Sequence, residues 1–525
     1  MTDRLGVGVR QSLDSRDVPG TRGCWLWPSW FIALLVVSGV QMATLTITPL
    51  NGKDGAQIVE CGRVLLDSRS DWSFNWSPQN RPLPPSLSYV GPAIQECAFR
   101  LFSGTASAFW PRLFSLAGAL VAATLALGWL LARSTKPLFA WLLSMAFLLD
   151  PNFVEGYRGA RVDGWALALC FGAAWLLTKR DNEVRPAWAD FTAGAMTGTA
   201  FMVWPTSPIL YPLLMVQFAS SHYTRSASHR GYGLVVSRAA IAALGGGIAV
   251  ALLLIPVRNQ LPAILGALHW HYATNLELGH THDPFSINAA RYLSVFALSP
   301  FIPLLAVPSV LHSKNWLLGV ATLICMLFLL GTRVDVNHFV YILPYFLGLA
   351  ASNFAASELP GGRRYFRHAL TAVLMCALLW CVGLSLVVRT LNAWPLRSSR
   401  DPQSLVRAGT DEIGRGPYRV FVQPYEFYYA GRRLGWRMYH PVGGADIKSD
   451  ESRRLLREVD YALLTVTPDS EDLKVLTESG LERKSVLLSQ QKQVPVRLLG
   501  VTVSSSGAVY GPYTLYARRV HSGGE

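Results

Sequence analysis

As far as Val388 the chain alternates between long apolar runs and short breaks rich in Arg, Lys, Gly and Pro. A helix needs roughly 20 apolar residues to cross the hydrocarbon core of a bilayer, and it satisfies its backbone groups internally. Candidate runs are Trp30–Ile47, Arg112–Ala132, Pro137–Leu149, Gly164–Leu177, Phe191–Trp204, Ile209–Ala219, Ala239–Pro256, Leu293–Leu311, Trp316–Leu330, His338–Ala351 and His368–Val388. They predict a mainly α fold, a polytopic membrane helical bundle of about eleven spans. Composition agrees: 15% of the residues are charged and 51% are hydrophobic, against about 25% charged in soluble domains. From about Leu391 the charge density rises. Tyr418–Val422, Tyr461–Val466, Val496–Val503 and Tyr513–Val520 read as strands, and Glu471–Ser479 as a helix ended by Gly480. Three parts are therefore expected: an N-terminal segment 1–29, a membrane domain 30–390 and a small soluble α/β domain 391–525.

Arg4, Arg10, Arg16 and Arg22 precede the first run and place the N-terminus in the cytoplasm. No small-residue cleavage pattern follows that run, which predicts a retained helix. Alternating the spans from there leaves most short-loop Arg and Lys on the cytoplasmic side of a plasma membrane. Two long loops, about 49–110 and 257–292, and the C-terminal domain then lie outside. The net charge of +14 fits loops that meet anionic headgroups. It does not point to nucleic acid, because no basic patch is interleaved with aromatics. Seven cysteines without a CxxC indicate no zinc or iron–sulfur site. Cys61 and Cys97 share the first outward loop, where an oxidising compartment allows a disulfide. Within that loop Ala56–Leu66 has partly helical spacing and is expected along the membrane surface. Gly245-Gly246-Gly247, inside a span, predicts close helix packing.

The residues that could carry chemistry collect in the outward loops. Lys53-Asp54-Gly55 follows the first span, and Arg81-Pro82-Leu83-Pro84-Pro85 and Tyr89 come later in the same loop. Arg112 opens the second span. Asp150-Pro151-Asn152-Phe153 leads through Arg158 and Arg161 to Asp163, and Phe339-Val340-Tyr341-Ile342-Leu343-Pro344 opens a late span. In order, spacing and sidedness these segments resemble the GT-C superfamily of membrane glycosyltransferases. The likeness runs from Trp30 to Ala351 and is greatest to the branch of the protein O-mannosyltransferases and the lipid A aminoarabinose transferase. The chain departs from that pattern in two places. Gly55 follows Asp54 where many relatives carry a second acidic residue, and Leu83 stretches the Pro-Pro segment.

The resemblance implies an inverting glycosyltransferase. It would move a sugar from a polyprenyl-phosphate donor to a hydroxyl of an envelope glycan, lipid or protein at the outer face. A hydroxyl needs a base to take its proton, and Asp54 stands at the expected boundary of lipid and water, with Asp163 to orient the acceptor or assist. The departing lipid phosphate needs cations, for which Arg81, Arg158, Arg161 and Lys53 are candidates, Arg having the fork that suits phosphate. Plainer roles stay open: Asp54 as a helix cap, Asp163 as a cap or a partner of Arg161, Arg81 as a snorkelling side chain. His269, His271, His280 and His282 are expected to line the acceptor entrance. No metal site is assigned and no cofactor is required by the sequence, although a divalent cation is compatible with it. Two other classes compete, a non-catalytic scaffold of the same fold and a transporter or flippase of lipid-linked sugar. The spans carry little of the mid-membrane charge that transport calls for.

Overall fold

The computed structural model describes residues 25–47, 54–67, 87–102, 107–178, 185–223, 229–262, 264–266, 284–310, 315–331, 336–354, 364–440, 447–465, 468–489, 496–498, 501–504 and 510–519. The chain enters as α1 (Leu26–Leu45), then α2 (Asp54–Leu66) and α3 (Val90–Leu101). It continues through α4 (Phe109–Ala132), α5 (Pro137–Leu148), α6 (Pro151–Arg158), α7 (Asp163–Leu177), α8 (Ala187–Val203), α9 (Tyr211–Tyr223) and α10 (His229–Leu254). After these come α11 (Phe285–Leu298), α12 (Phe301–Val310), α13 (Trp316–Gly331), α14 (Leu343–Ser352) and α15 (Arg364–Val382). A π-helical stretch, Gly383–Val388, carries α15 on to Ala393 in one continuous rod.

Among the described residues four helices are long and apolar enough to cross a membrane: α1, α4, the rod containing α10 and the rod containing α15. The number is six if each of two bent pairs counts as one span. The remaining apolar helices are shorter, and at 1.5 Å per residue fewer than about 18 residues cover less than the roughly 30 Å hydrocarbon core. The bent pairs have a sequence cause. α5 and α6 meet at 52° where Asp150 caps α6, accepting from the Asn152 and Phe153 amides, with Pro151 at the first helical position. The run Leu293–Leu311, expected as one span, is instead α11 and α12 crossing at 104°. The break falls at Ser299-Pro300, where proline lacks an N–H and disfavours helix in the residue before it.

Packing inside the membrane part is closest between α8 and α10. A Cβ added at Gly194 would stand 1.8 Å from the Ala242 carbonyl oxygen, and one at Gly245 would stand 2.1 Å from that of Phe191. Small residues let the two backbones touch. Asp190 of α8, fully buried, pairs across that contact with Arg238 of α10 at 3.0 Å and also with Arg185 at 2.5 Å.

The C-terminal part holds α16 (Pro402–Glu412), β1 (Arg419–Val422), α17 (Phe427–Leu434), β2 (Arg437–Tyr439), α18 (Asp450–Glu458), β3 (Tyr461–Leu464), α19 (Ser470–Glu478), β4 (Leu481–Leu487) and β7 (Tyr513–Arg518). Its five-stranded sheet has the order β2-β1-β3-β7-β4, parallel over β2-β1-β3 and antiparallel over β3-β7-β4. The run Val496–Val503, expected as one strand, is two: β5 (Val496–Leu498) and β6 (Val501–Ser504) pair antiparallel. Leu455, Leu456, Val475 and Leu476 of α18 and α19 cover one side of the sheet. On the other side, Tyr428, Tyr429 and Leu434 share a single core with Ala56 and Val59 of α2 and Phe99 of α3. α2 therefore packs against α17 as well as α3.

Candidate active site

A helix leaves its last carbonyls without an intrahelical donor. At the end of α1 and in the turn after it, arginines from distant parts of the chain supply donors. Arg158 Nη2 donates to the Thr44 carbonyl at 3.4 Å, Arg112 Nη1 to that of Leu45 at 2.7 Å, and Arg400 Nη1 to that of Ile47 at 3.4 Å. Cations are favoured at this pole of the helix dipole. Arg158 also donates to Thr44 Oγ1 at 2.9 Å and to the Gln41 side-chain oxygen. Gln41 in turn donates to the Tyr157 hydroxyl at 3.1 Å. Arg158 lies within electrostatic reach of Arg389 and Arg112 and of the Glu155 carboxylate. Arg389 bonds to Glu155 at 2.8 Å. Among the described residues, the guanidiniums of Arg112, Arg158 and Arg389 thus share the Glu155 carboxylate near the end of α1.

The turn between α6 and α7 lies against the start of α2. A Cβ added at Gly55 would come within 2.3 Å of the Gly159 carbonyl oxygen, so only glycine permits this approach. The next residue, Ala160, holds a left-handed backbone at φ 63°, which costs a residue with a Cβ about 1–2 kcal/mol. Gln95 of α3 steadies it, donating to the Ala160 carbonyl at 3.0 Å and to Ser115 at 2.7 Å. Beyond the turn, Arg161 Nε bonds Asp163 Oδ2 at 2.7 Å, and the Tyr341 hydroxyl donates to Asp163 Oδ1 at 2.9 Å. The guanidinium of Arg161 also lies over the Trp204 ring.

A second cluster, on α2, α3 and α17, closes into a ring. Glu60 pairs with Arg63 at 2.7 Å, Arg63 with Asp67 at 3.5 Å, Asp67 with Arg100 at 2.9 Å and Arg100 with Glu96 at 2.6 Å. Glu96 then pairs with Arg432 at 2.8 Å, and Arg432 donates to the Tyr428 hydroxyl at 3.1 Å. The Tyr428 hydroxyl returns to Glu60 Oε2 at 2.7 Å. The ring joins α2, α3 and α17. Burial pushes the Glu60 carboxyl up, but the bonded Arg63, with Arg432 and the Tyr428 hydroxyl, outweighs it and holds that carboxyl below its ordinary value.

The structure brings Arg158, Arg161 and Asp163 to one turn, beside the backbone of the helix that Asp54 opens. Asp163 is the first residue of α7 and is engaged by Arg161 and Tyr341, which fits an orienting role better than that of a free base. Lys53, Arg81, His269, His271, His280 and His282 lie outside the described residues, as does the side chain of Asp54. The bridge between Cys61 and Cys97 is not formed: both are free thiols, Cys61 half-buried on α2 and Cys97 exposed on α3. Burial and the adjacent Glu60 push the Cys61 thiol up to about 12. Gln41, Arg389 and Arg400 escape a reading of the sequence. Gln41 is one polar residue in an apolar run, and Arg400 sits in an ordinary Arg-Ser-Ser-Arg stretch past the last span. Tyr341 lies in the late Leu-Pro motif, and its bond to Asp163 unites two segments that the sequence marks separately. Among the described residues no three His, Cys, Asp or Glu side chains converge as metal ligands.

No protein-family model matches this chain, and no curated protein matches it in sequence. Solved structures do. ArnT from Cupriavidus metallidurans bound to undecaprenyl phosphate superposes with a TM-score of 0.58 at 12% identity, over 94% of this chain and 98% of that one. The same protein in the apo state gives 0.53 over the same shares. The oligosaccharyltransferase of Archaeoglobus fulgidus in its apo form is more distant, at 0.45 and 12% identity over 84% of this chain and 70% of that one. The chain has the fold of ArnT, which is a GT-C fold.

Proposed function

We propose that this protein is a membrane glycosyltransferase. It takes a sugar from a polyprenyl-phosphate donor and transfers it to an acceptor hydroxyl at the membrane face where α2 begins. The observation that carries the reading is the seat of Gly55 on the Gly159 carbonyl. That contact sets Asp54, one residue earlier, beside the turn that holds Arg158, Arg161 and Asp163. Asp54 takes the proton of the attacking hydroxyl. Arg158, with Arg112 and Arg161 close by in the fold, steadies the negative charge that grows on the departing lipid phosphate, in a setting where fixed cations act strongly. Asp163, held by Arg161 and Tyr341, keeps that turn in register. The ArnT fold supports the reading, since undecaprenyl phosphate is bound to that neighbour. The reading places the site on the outer face of a bacterial inner membrane, with the C-terminal sheet, docked on α2 and α3, beside the acceptor.

The test is transfer from a labelled polyprenyl-phosphate sugar by the full chain in proteoliposomes. Asp54→Asn is expected to lower turnover by about 10²–10⁴ while donor binding persists. Undiminished transfer removes Asp54 as the base. A protein that binds the lipid-linked sugar but never releases product, whatever the acceptor offered, is a scaffold and not an enzyme.

A further inference from the structure

At the opposite end of α4 from Arg112 lies a second feature that this reaction does not use. α4 has 24 residues and is therefore about 36 Å long. Its two ends face opposite sides of the membrane. Arg133 follows its last residue and borders a cavity of about 320 Å³ between α4, α7, α9 and α13, roughly ten times the share of one water. The guanidinium lies over the Trp129 ring. It donates to Gln217 Oε1 at 2.9 Å, to Ser352 Oγ at 3.3 Å and to the Gly348 carbonyl at 3.4 Å. All three acceptors are neutral, and among the described residues no carboxylate meets Arg133.

A half-buried cation held only by neutral oxygens is poorly compensated. An anion in the cavity would complete it. The remaining walls suit one. Ser134, Ser220, Ser221 and Asn315 line the cavity, and none of its described lining residues is acidic. A second guanidinium stands one bond behind: Arg185 Nη1 donates to Ser221 Oγ at 2.8 Å. Arg185 shares the Asp190 carboxylate with Arg238. The other wall is apolar, with Leu213, Val216 and Leu318.

We propose that this cavity is a phosphate-binding site on the membrane face opposite the candidate active site. The phosphate is clasped by Arg133, and its organic part rests on Leu213, Val216 and Leu318. The apolar wall, at headgroup depth, favours the phosphate of a glycerophospholipid over free phosphate, and the experiment separates the two sources.

Full-length protein, delipidated in detergent, is titrated with dimyristoylphosphatidylglycerol and, in parallel, with the matching diacylglycerol, which lacks the phosphate. Native mass spectrometry counts the molecules retained. The wild type is expected to hold one phosphatidylglycerol that diacylglycerol does not displace. Arg133→Gln is expected to hold it about tenfold more weakly, and Arg133→Lys to recover part of the difference. If millimolar inorganic phosphate raises the melting temperature of the wild type but not of Arg133→Gln, and no lipid is retained, the site stands with a soluble phosphate as its ligand. If retention and melting respond alike in wild type and Arg133→Gln, the proposal is overturned. Should Arg133→Gln fail to fold, the wild type decides alone: equal retention of phosphatidylglycerol and diacylglycerol, with no response to phosphate, also overturns it.

Discussion

Two sets of arginines stand near α2, and they differ in the partners they meet. In the ring that joins α2, α3 and α17, three guanidiniums (Arg63, Arg100, Arg432) alternate with three carboxylates (Glu60, Asp67, Glu96). Tyr428 closes the loop by donating to one carboxylate and accepting from one guanidinium. At the end of α1, Arg112, Arg158 and Arg389 lie within electrostatic reach of the carboxylate of Glu155, the one that the described residues bring to them. A ring with matched charges is complete as folded. In the proposed reading the second set is also the one that meets the lipid phosphate of the donor. The ring fastens α2 to α3 and α17, whereas the proposed chemistry draws on the second set at the N-terminus of α2.

The largest effect separating the two sets should come from breaking the ring. Glu60→Gln takes from Arg63, only 7% exposed, its nearer carboxylate and leaves it the more exposed Asp67 at 3.5 Å. Removing one partner of a buried pair costs about 3–5 kcal/mol. The expected outcome is earlier thermal unfolding of the purified protein, with the C-terminal sheet released first to protease. Acid should produce the same loosening without a mutation. The Glu60 carboxyl is held below its ordinary value, so its contribution is fully present above the unfolded-state pKa of about 4.3. It is lost as pH falls through the lower folded-state value. Protease resistance of the sheet should hold from neutral pH down to about 5 and decline in stronger acid, and Glu60→Gln should flatten that decline. An unchanged melting curve for Glu60→Gln contradicts the view that the ring carries this interface.

Arg158→Gln tests the other side. Its bonds to Gln41 and Thr44 are lost, but so is the repulsion from Arg112 and Arg389. Stability should change by less than about 1 kcal/mol. Affinity for a polyprenyl phosphate should fall about 10- to 100-fold, the equivalent of about 1.5–3 kcal/mol for bonds to a charged group. Equilibrium binding of the labelled lipid beside a melting curve gives both numbers. If Arg158→Gln melts as early as Glu60→Gln while binding the lipid normally, both clusters are structural and the contrast between them is gone.

The difference between the two sets also decides what the sequence could reveal. The apolar runs announced the membrane helices because burial in lipid leaves little choice of residue, and α1 and α4 lie within a few residues of the runs that predicted them. Asp54, Arg158, Arg161 and Asp163 were marked because charge at the edge of an apolar run is rare. The ring was invisible. Its members lie on α2, α3 and α17, and nothing local says that Glu60 meets a tyrosine 368 residues later. α3 was missed for a related reason. Pro92, Gln95, Glu96 and Arg100 make its stretch read as polar loop, whereas its charges are consumed by α17 and the ring. The bend of 104° within Leu293–Leu311 could have been placed from Pro300, but an apolar run on both sides of a proline reads equally well as one kinked span.

The finest test concerns how the two sets communicate through α2. Tyr428→Phe keeps the ring's shape and removes a single hydroxyl. Glu60 still has Arg63, and Arg432 still has Glu96, so the cost should be about 1.5 kcal/mol, that of one bond to a charged group. That hydroxyl nevertheless ties α17 directly to Glu60 of α2, and α2 begins with Asp54. A slack tie lets the start of α2 shift, and reacting groups tolerate little misplacement. Turnover should therefore fall several-fold while the KM for the lipid donor, set at the end of α1, stays constant. A double-mutant cycle gives the control: in Glu60→Gln, adding Tyr428→Phe should cost less than it does alone, because the bond is already weakened. Full additivity, or a shift in KM with constant turnover, means that Tyr428 packs the interface without positioning the helix.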